Sequence, residues 1–336
     1  MKIEKKQWGR YRGDTVWFYT IRNGQMEVDL TNYGCTILAI RIGGRNIICG
    51  YTSLSDLLAD PYYMGCLVGR FAGRIARAAF TINEVAYQLP ANDGATGHHL
   101  HGGPNGFNQI CFKEASQHWG QDHAIITFQT NIEHLHQGYP GNIDLGVAIT
   151  LNNRNQLTFN YQAQPDRPTH INLTHHLYYN LCSHVVHSMA DGTADPIPQQ
   201  ELTLYADAML ETATDYIPTG RIIPVTAEYD FRVARLIPAA TAYNECYVLK
   251  QPKKSGMDAV LADPVSGLTM ELSTTCPGII FYTGDFLNAP FSPRQGICLE
   301  AQYFPDTPNH KSFPSTLYNQ FRNYREQTIL QFKNLL

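Results

Sequence analysis

Short stretches of period-two alternation, separated by turn signals, run through this chain and restrict its fold more than any other feature. Alternation at every second residue sends side chains to opposite faces of an extended strand. The stretches are rich in Val, Ile, Thr, Tyr and Phe, which suit a pleated, half-buried surface. Residues 16–21 and 26–30 flank Asn23-Gly24, a pair that tolerates the positive φ of a type I′ turn, so a hairpin is expected there. A second is expected from 80–82 and 85–89 around Asn83-Glu84. In a third, Val147, Ile149 and Leu151 share one face, as do Leu157, Phe159 and Tyr161. Further strands are expected at 36–42, 124–130, 202–205, 268–272, 279–283, 296–301 and 328–332. Helical patterns are confined to 53–59, opened by Ser53 and stopped before Pro61, and to 313–324. Without strand–helix alternation a Rossmann or TIM layout lacks support. The expected fold is all-β, a large antiparallel β-sandwich, in one domain over 1–336. The polar stretch 191–200 is the best candidate boundary, but an exposed loop within one domain explains it equally well.

Charge narrows the partners. Only 16% of residues are charged, against about 25% in an ordinary domain, and 25 basic residues face 29 acidic ones for a net charge of −4. No long basic run occurs, so nucleic acid is not an expected partner. The lysines at the N-terminus lead into no apolar segment, and no run of 18 apolar residues follows, so neither a signal peptide nor a membrane span is expected. Eight scattered cysteines without a C-x-x-C pair read as reduced thiols in a cytoplasmic protein. A monomer or homodimer is expected.

Familiar catalytic signatures are missing. Gly69-Arg-Phe-Ala-Gly73-Arg74 lacks the Gly-Lys-Ser/Thr of a phosphate loop, and neither G-x-S-x-G nor H-E-x-x-H is present. The 13 histidines concentrate at His98-His99-Leu100-His101 and at His175-His176. His99 and His101 alternate and would share a strand face, a spacing that suits a metal. Carboxylate or cysteine partners of matching local spacing are absent, which favours structural or substrate-binding roles over a metal site. Glu300 ends an apolar strand ahead of a proline-rich loop; alone, it reads either as a solvated surface charge or as a catalytic carboxylate. His176 reads either as a satisfied core histidine or as an acid.

The ordered segments Asn32-Tyr-Gly34, Gly69-Arg-Phe-Ala-Gly-Arg-Ile75, Leu100-His-Gly-Gly103, Asn172-Leu-Thr-His-His-Leu-Tyr-Tyr-Asn-Leu181, Asp215-Tyr-Ile-Pro-Thr-Gly220, Pro277-Gly-Ile-Ile-Phe-Tyr-Thr-Gly284 and Gly296 to Asn309 change the weighing. Together they resemble the aldose 1-epimerase (galactose mutarotase) family over nearly the whole chain. The resemblance implies a β-supersandwich and an isomerase of hexose metabolism that interconverts the α and β anomers of a free, glucose- or galactose-like aldose. It implies no cofactor and no metal. Ring opening takes a proton from the C1 hydroxyl and delivers one to the ring oxygen, which calls for a base and an acid on opposite sides of the acetal carbon. The resemblance gives these roles to Glu300 and His176. A small-molecule aldose is the partner it implies, and it matches Arg74 and His101 to sugar-contacting residues. Tyr178 reads either as a pocket-lining ring, since sugars present apolar C–H faces to aromatic rings, or as core packing.

Four positions depart from the family pattern: Gly73 for asparagine, Asn244 for a sugar-binding aspartate, Ile280 for glutamine and Ala301 for threonine. These leave the acid and base in place and put the identity of the sugar in question. Glu245 would stand in for the lost aspartate if the register shifted. Two alternatives share the scaffold: a sugar-phosphate anomer epimerase, which would need more basic residues than Arg74 and Arg70, and a non-catalytic sugar-binding protein. A glycosidase would need a second carboxylate.

Overall fold

A computed structural model describes residues 1–182, 199–250 and 256–335 of the chain. The alternating segments assemble into three principal antiparallel sheets. The largest has nine strands, centred on Ile143–Asn152, Gln156–Pro165 and Tyr324–Lys333. Odd positions of Ile143–Asn152 are buried while even ones reach toward water. Val147, Ile149 and Leu151 pair directly with Tyr161, Phe159 and Leu157, as the alternation predicts. A five-stranded sheet is built from the N-terminal segments Lys2–Tyr11 to Arg45–Asn46.

The third sheet positions the site. Its order is Tyr178–Tyr179, Ile297–Gln302, Gly278–Tyr282, Asn244–Val248, Ala208–Thr212, Pro218–Pro224. Every residue of Gly278–Tyr282 and Ile297–Gln302 is buried, because both faces of this sheet are covered. Ile279, Phe281, Ile297, Leu299 and Ala301 enter the main core, each large side chain contributing about 1.5–3 kcal/mol of burial. Ile280, Tyr282 and Cys298 face the other way, together with Tyr178 and Cys246.

Local expectations fare unevenly. The hairpin expected around Asn23-Gly24 forms, Asp14–Arg22 pairing with Met26–Thr31, but not through a two-residue type I′ turn: Arg22 pairs with Glu27, and within the loop only Gly24 has positive φ, 96°. The Asn23 carboxamide instead accepts from the Gln25 and Met26 N–H groups at 3.0 and 2.7 Å, a side-chain turn that widens the loop. A two-residue turn with both central φ values positive does close the second expected hairpin, at Asn83 and Glu84, 48° and 66°, and others close at Arg12-Gly13 and Gly43-Gly44. Ser53 caps the helix Leu54–Leu58 by accepting from the Asp56 N–H at 3.2 Å. The helix expected at 313–324 is not there. Pro314 removes a backbone donor, Leu317–Tyr318 pairs with Thr169–His170, and the Asn319 side chain turns the chain by accepting from the Phe321 and Arg322 N–H groups. The candidate boundary at 191–200 lies largely outside the described residues. Among those described, no helix is long and apolar enough to cross a membrane.

Candidate active site

Alternation along Ile297–Gln302 puts Cys298, Glu300 and Gln302 on one face, away from the main core. Cross-strand register extends that face into two rows. Glu300 pairs with Ile280, and Ile280 continues to Cys246; Tyr178 pairs with Cys298, which continues to Tyr282 and Asn244. With strands about 4.8 Å apart, the rows form the floor of a pocket also walled by Arg74, His101 and His176. The same register sends Glu245 to the opposite face, against Phe281, so it does not replace Asn244 in the pocket.

His176 arrives from a short strand, Thr174–His175, paired with Leu67–Val68. Its backbone is fixed by Cys66 O at 3.0 Å and by the Gly65 N–H at 2.8 Å. Consecutive histidines therefore point apart. His175 faces inward, bonded to the Tyr161 hydroxyl at 2.8 Å and to Cys35 O at 3.0 Å, and is a structural residue. His176 faces the pocket. Its Nδ1 lies 3.5 Å from Cys298 Sγ, which leaves Nε2 facing Glu300, 3.6 Å from Oε1.

Burial sets the electrostatics of this pair. Their side chains are 5% and 4% exposed, and Glu300 Oε2 is buried without a hydrogen-bond partner. Desolvation pushes the Glu300 carboxyl up to about 8, with the Arg74 charge opposing, and pushes His176 down to about 4. Between those limits the pair holds one proton, on a strong base beside an imidazole. The two groups stand next to one another, and because the C1 hydroxyl and the ring oxygen are both bonded to C1, adjacent groups can reach both.

His101 does not share a strand face with His99. The strand His99–Leu100 ends there, and His101 takes a φ of 52°. His99 is buried with Nδ1 on Pro90 O at 2.8 Å and its ring against Tyr139, away from the pocket. His101 turns in, its ring 4.8 Å from Tyr63 and 5.3 Å from His176. The Gly73 N–H donates to its Nδ1 at 3.1 Å, so Nε2 carries the proton of the neutral ring and is a donor. Burial holds His101 well below the usual histidine range. Gly73 has a φ of 83°, and a Cβ there would lie 3.2 Å from Gln302 Nε2, so glycine suits this turn.

Arg74 reaches the pocket with its charge already matched, Nε to Asp93 Oδ2 at 2.7 Å. Arg70 is elsewhere: fully buried, it donates to Pro140 O at 2.7 Å and Gly141 O at 3.1 Å and serves a loop. Tyr178 lines the pocket, stacks on His176 at 4.9 Å, donates to Tyr62 O at 3.1 Å and packs among buried apolar residues. Gln302 went unnoticed in the sequence. Two residues after Glu300 on the same strand face, it too presents a buried oxygen without a partner. The fold also supplies what local spacing lacked for a metal, since His101, His176 and Glu300 offer ligand atoms within 4.8 Å of one another. Among the described residues, Glu300 is the only carboxylate lining the pocket.

Residues 18–331 match the model of the aldose 1-epimerase family. The chain is 32% identical to the galactose mutarotase of Mus musculus, covering 95% of each chain. It is 29% identical to the aldose 1-epimerase of Escherichia coli, covering 90% of each. Its fold superposes with a TM-score of 0.86 on a crystal structure of a galactose 1-epimerase from Lactobacillus acidophilus, at 23% identity over 99% of this chain and 98% of that one.

Proposed function

The chain belongs to the aldose 1-epimerase family and is an isomerase of aldose anomers; on that premise we propose that Glu300 and His176 open and reclose the sugar ring. The observation that carries this reading is the buried, unpartnered Glu300 carboxyl 3.6 Å from His176 Nε2. An unmet buried acceptor is costly unless a ligand completes it, and the C1 hydroxyl of a sugar does so.

The chemistry needs only the proton this pair holds. Shifting it from Glu300 to Nε2 creates a carboxylate base and an imidazolium acid without uptake from solvent. Glu300 takes the C1 hydroxyl proton, His176 protonates the ring oxygen, and the C1–ring oxygen bond breaks to give the open aldehyde. Rotation about C1–C2 presents the other carbonyl face. The ring-oxygen hydroxyl then attacks it, returning its proton to His176, while Glu300 reprotonates the new C1 oxygen. Each proton transfer contributes about 10²–10⁴ in rate. Nδ1 stays tied to Cys298 throughout, so the ring does not swing. His101 and Arg74 donate to sugar oxygens, Asn244 and Gln302 supply amides, and Tyr178 covers a C–H face.

A neutral substrate is favoured. Arg74 is already paired with Asp93 and Arg70 serves a loop, which leaves little charge for a phosphate. That Glu300 is the one carboxylate among the described residues lining the pocket argues against glycoside hydrolysis. We place the activity in cytoplasmic hexose metabolism, carried by 1–336 as one catalytic unit, monomer or homodimer, without nucleic-acid or membrane partners. Polarimetry of freshly dissolved α-galactose and α-glucose tests it: the protein speeds the approach to the same final rotation. A rotation curve unchanged by the protein contradicts the reading.

A further inference from the structure

Asp93 does not line the pocket, yet it grips Arg74, which among the described residues is the only Lys or Arg that does. Oδ2 accepts from Nε at 2.7 Å and Oδ1 from Nη2 at 3.4 Å, a fork that fixes the plane of the guanidinium. The remaining nitrogen, Nη1, bonds no group among the described residues. The Tyr216 ring covers the guanidinium at 4.8 Å. Asp93 is itself held: Oδ2 also accepts from the Thr96 hydroxyl at 3.0 Å, and the Asp93 N–H donates to His98 O at 3.1 Å. With 17% and 14% of the two side chains exposed, water screens the pair little.

The grip matters because a second carboxyl stands in the same pocket. Glu300 Oε2 is buried without a partner, and the Arg74 charge already opposes the proton that burial holds on Glu300. The other titratable groups within electrostatic reach of Glu300 are His101 and His176, the thiols of Cys66, Cys246 and Cys298, and the phenols of Tyr178, Tyr179 and Tyr282. Burial favours the neutral form of each, which leaves Arg74 as the cation beside the base. A guanidinium freed from Asp93 would turn to the unmet Glu300 oxygen, since a charge-assisted bond to carboxylate is the strongest open to it. Paired so, Glu300 would be a weak base, and the place of the C1 hydroxyl would be taken.

We infer that Asp93 is a positioning residue for the reaction, tying Arg74 back from Glu300 and leaving Nη1 free to donate to a sugar oxygen. The inference rests on the anomer-interconversion reading. Asp93 touches no substrate atom and moves no proton, so its effect on the rate passes through Arg74.

The test measures kcat and KM for galactose anomer exchange across pH with wild type, Asp93→Asn, Asp93→Glu, Arg74→Met and the Asp93→Asn/Arg74→Met double variant. Asp93→Asn is expected to lower kcat about tenfold and to move the alkaline limb of the profile down by about one pH unit, while Asp93→Glu, which keeps the charge, keeps the limb. The double variant matches Arg74→Met within about twofold, because Asp93 has nothing to hold once Arg74 is gone. Thr96→Ala, which loosens Asp93 without removing it, gives a smaller change in the same direction and carries the test if Asp93→Asn does not fold. An Asp93→Asn or Thr96→Ala protein with unchanged kcat and limb overturns the inference and leaves the anomer reading intact. So does a loss of rate with an unmoved limb, or one of equal size in the Arg74→Met background, since either marks Asp93 as a support of its loop alone. Wild type that speeds no anomer exchange overturns the anomer reading itself.

Discussion

His176 Nε2 and Glu300 Oε1 lie 3.6 Å apart, in side chains that are 5% and 4% exposed, on a floor whose next residues are Ile280 and Cys246. The apolar floor keeps water from the carboxyl and raises its affinity for a proton, the property the proposed role as base calls for. Opposite shifts from one cause, burial, leave the pair with a single shared proton over a wide pH range.

The pH dependence follows. Below about 4 both groups are protonated and no base remains; above about 8 both are empty and no acid remains. The log of kcat/KM for galactose is therefore bell-shaped, with limbs near those values, as the apparent pKa values of the pair. A profile flat from pH 4 to 10 contradicts the shared proton.

Stability carries the same signature. The unfolded Glu300 carboxyl ionises from 4.5, whereas the folded one keeps its proton to about 8. The folded state binds more protons across that window, so this residue makes stability fall as pH rises through it. His176 acts oppositely between about 4 and 6.5, where the unfolded state binds the extra proton. Glu300→Gln removes the first effect. The variant is expected to match wild type near pH 4.5 and to exceed it at pH 9 by about 2–4 kcal/mol, read from denaturant melts. Equal stability at pH 9 contradicts the burial argument.

Cys298 meets His176 Nδ1 at 3.5 Å from outside the pocket lining, so an orienting role for it is testable. Cys298→Ala frees Nδ1 and is expected to lower kcat about three- to tenfold with little change in KM, whereas Cys298→Ser retains a polar partner and recovers most of the rate. If serine does no better than alanine, Cys298 acts by packing alone.

Ile280 is the cross-strand neighbour of Glu300. Ile280→Gln brings an amide donor beside the unpartnered carboxylate oxygen and stabilises its charged form, lowering the alkaline limb of the profile by about one pH unit. An unmoved limb shows that Ile280 does not desolvate the base.

Much of the fold was legible because strand alternation is a local property. Val147 and Tyr161 meet in the register that their patterns imply. Where a side chain or a distant strand competes for the backbone groups, the sequence misled. Asn23-Gly24 looks like a tight turn until the Asn23 side chain takes the backbone donors, and 313–324 looks helical until Leu317–Tyr318 finds a strand partner. In the site, His176 and Glu300 stood out through family resemblance, and the fold brings them together. Gln302 was not singled out, since a buried amide oxygen without a partner is defined by what surrounds it. The His99–His101 pairing failed because the backbone turns at His101.

The most direct test of the central claim is anomer exchange of galactose by NMR with wild type, His176→Asn, Glu300→Gln and the double variant. If the two residues work one shared proton, each single variant loses at least about 10³ in kcat and the double loses little more, because neither half acts alone. Either single variant keeping more than about a tenth of the wild-type rate would contradict the account.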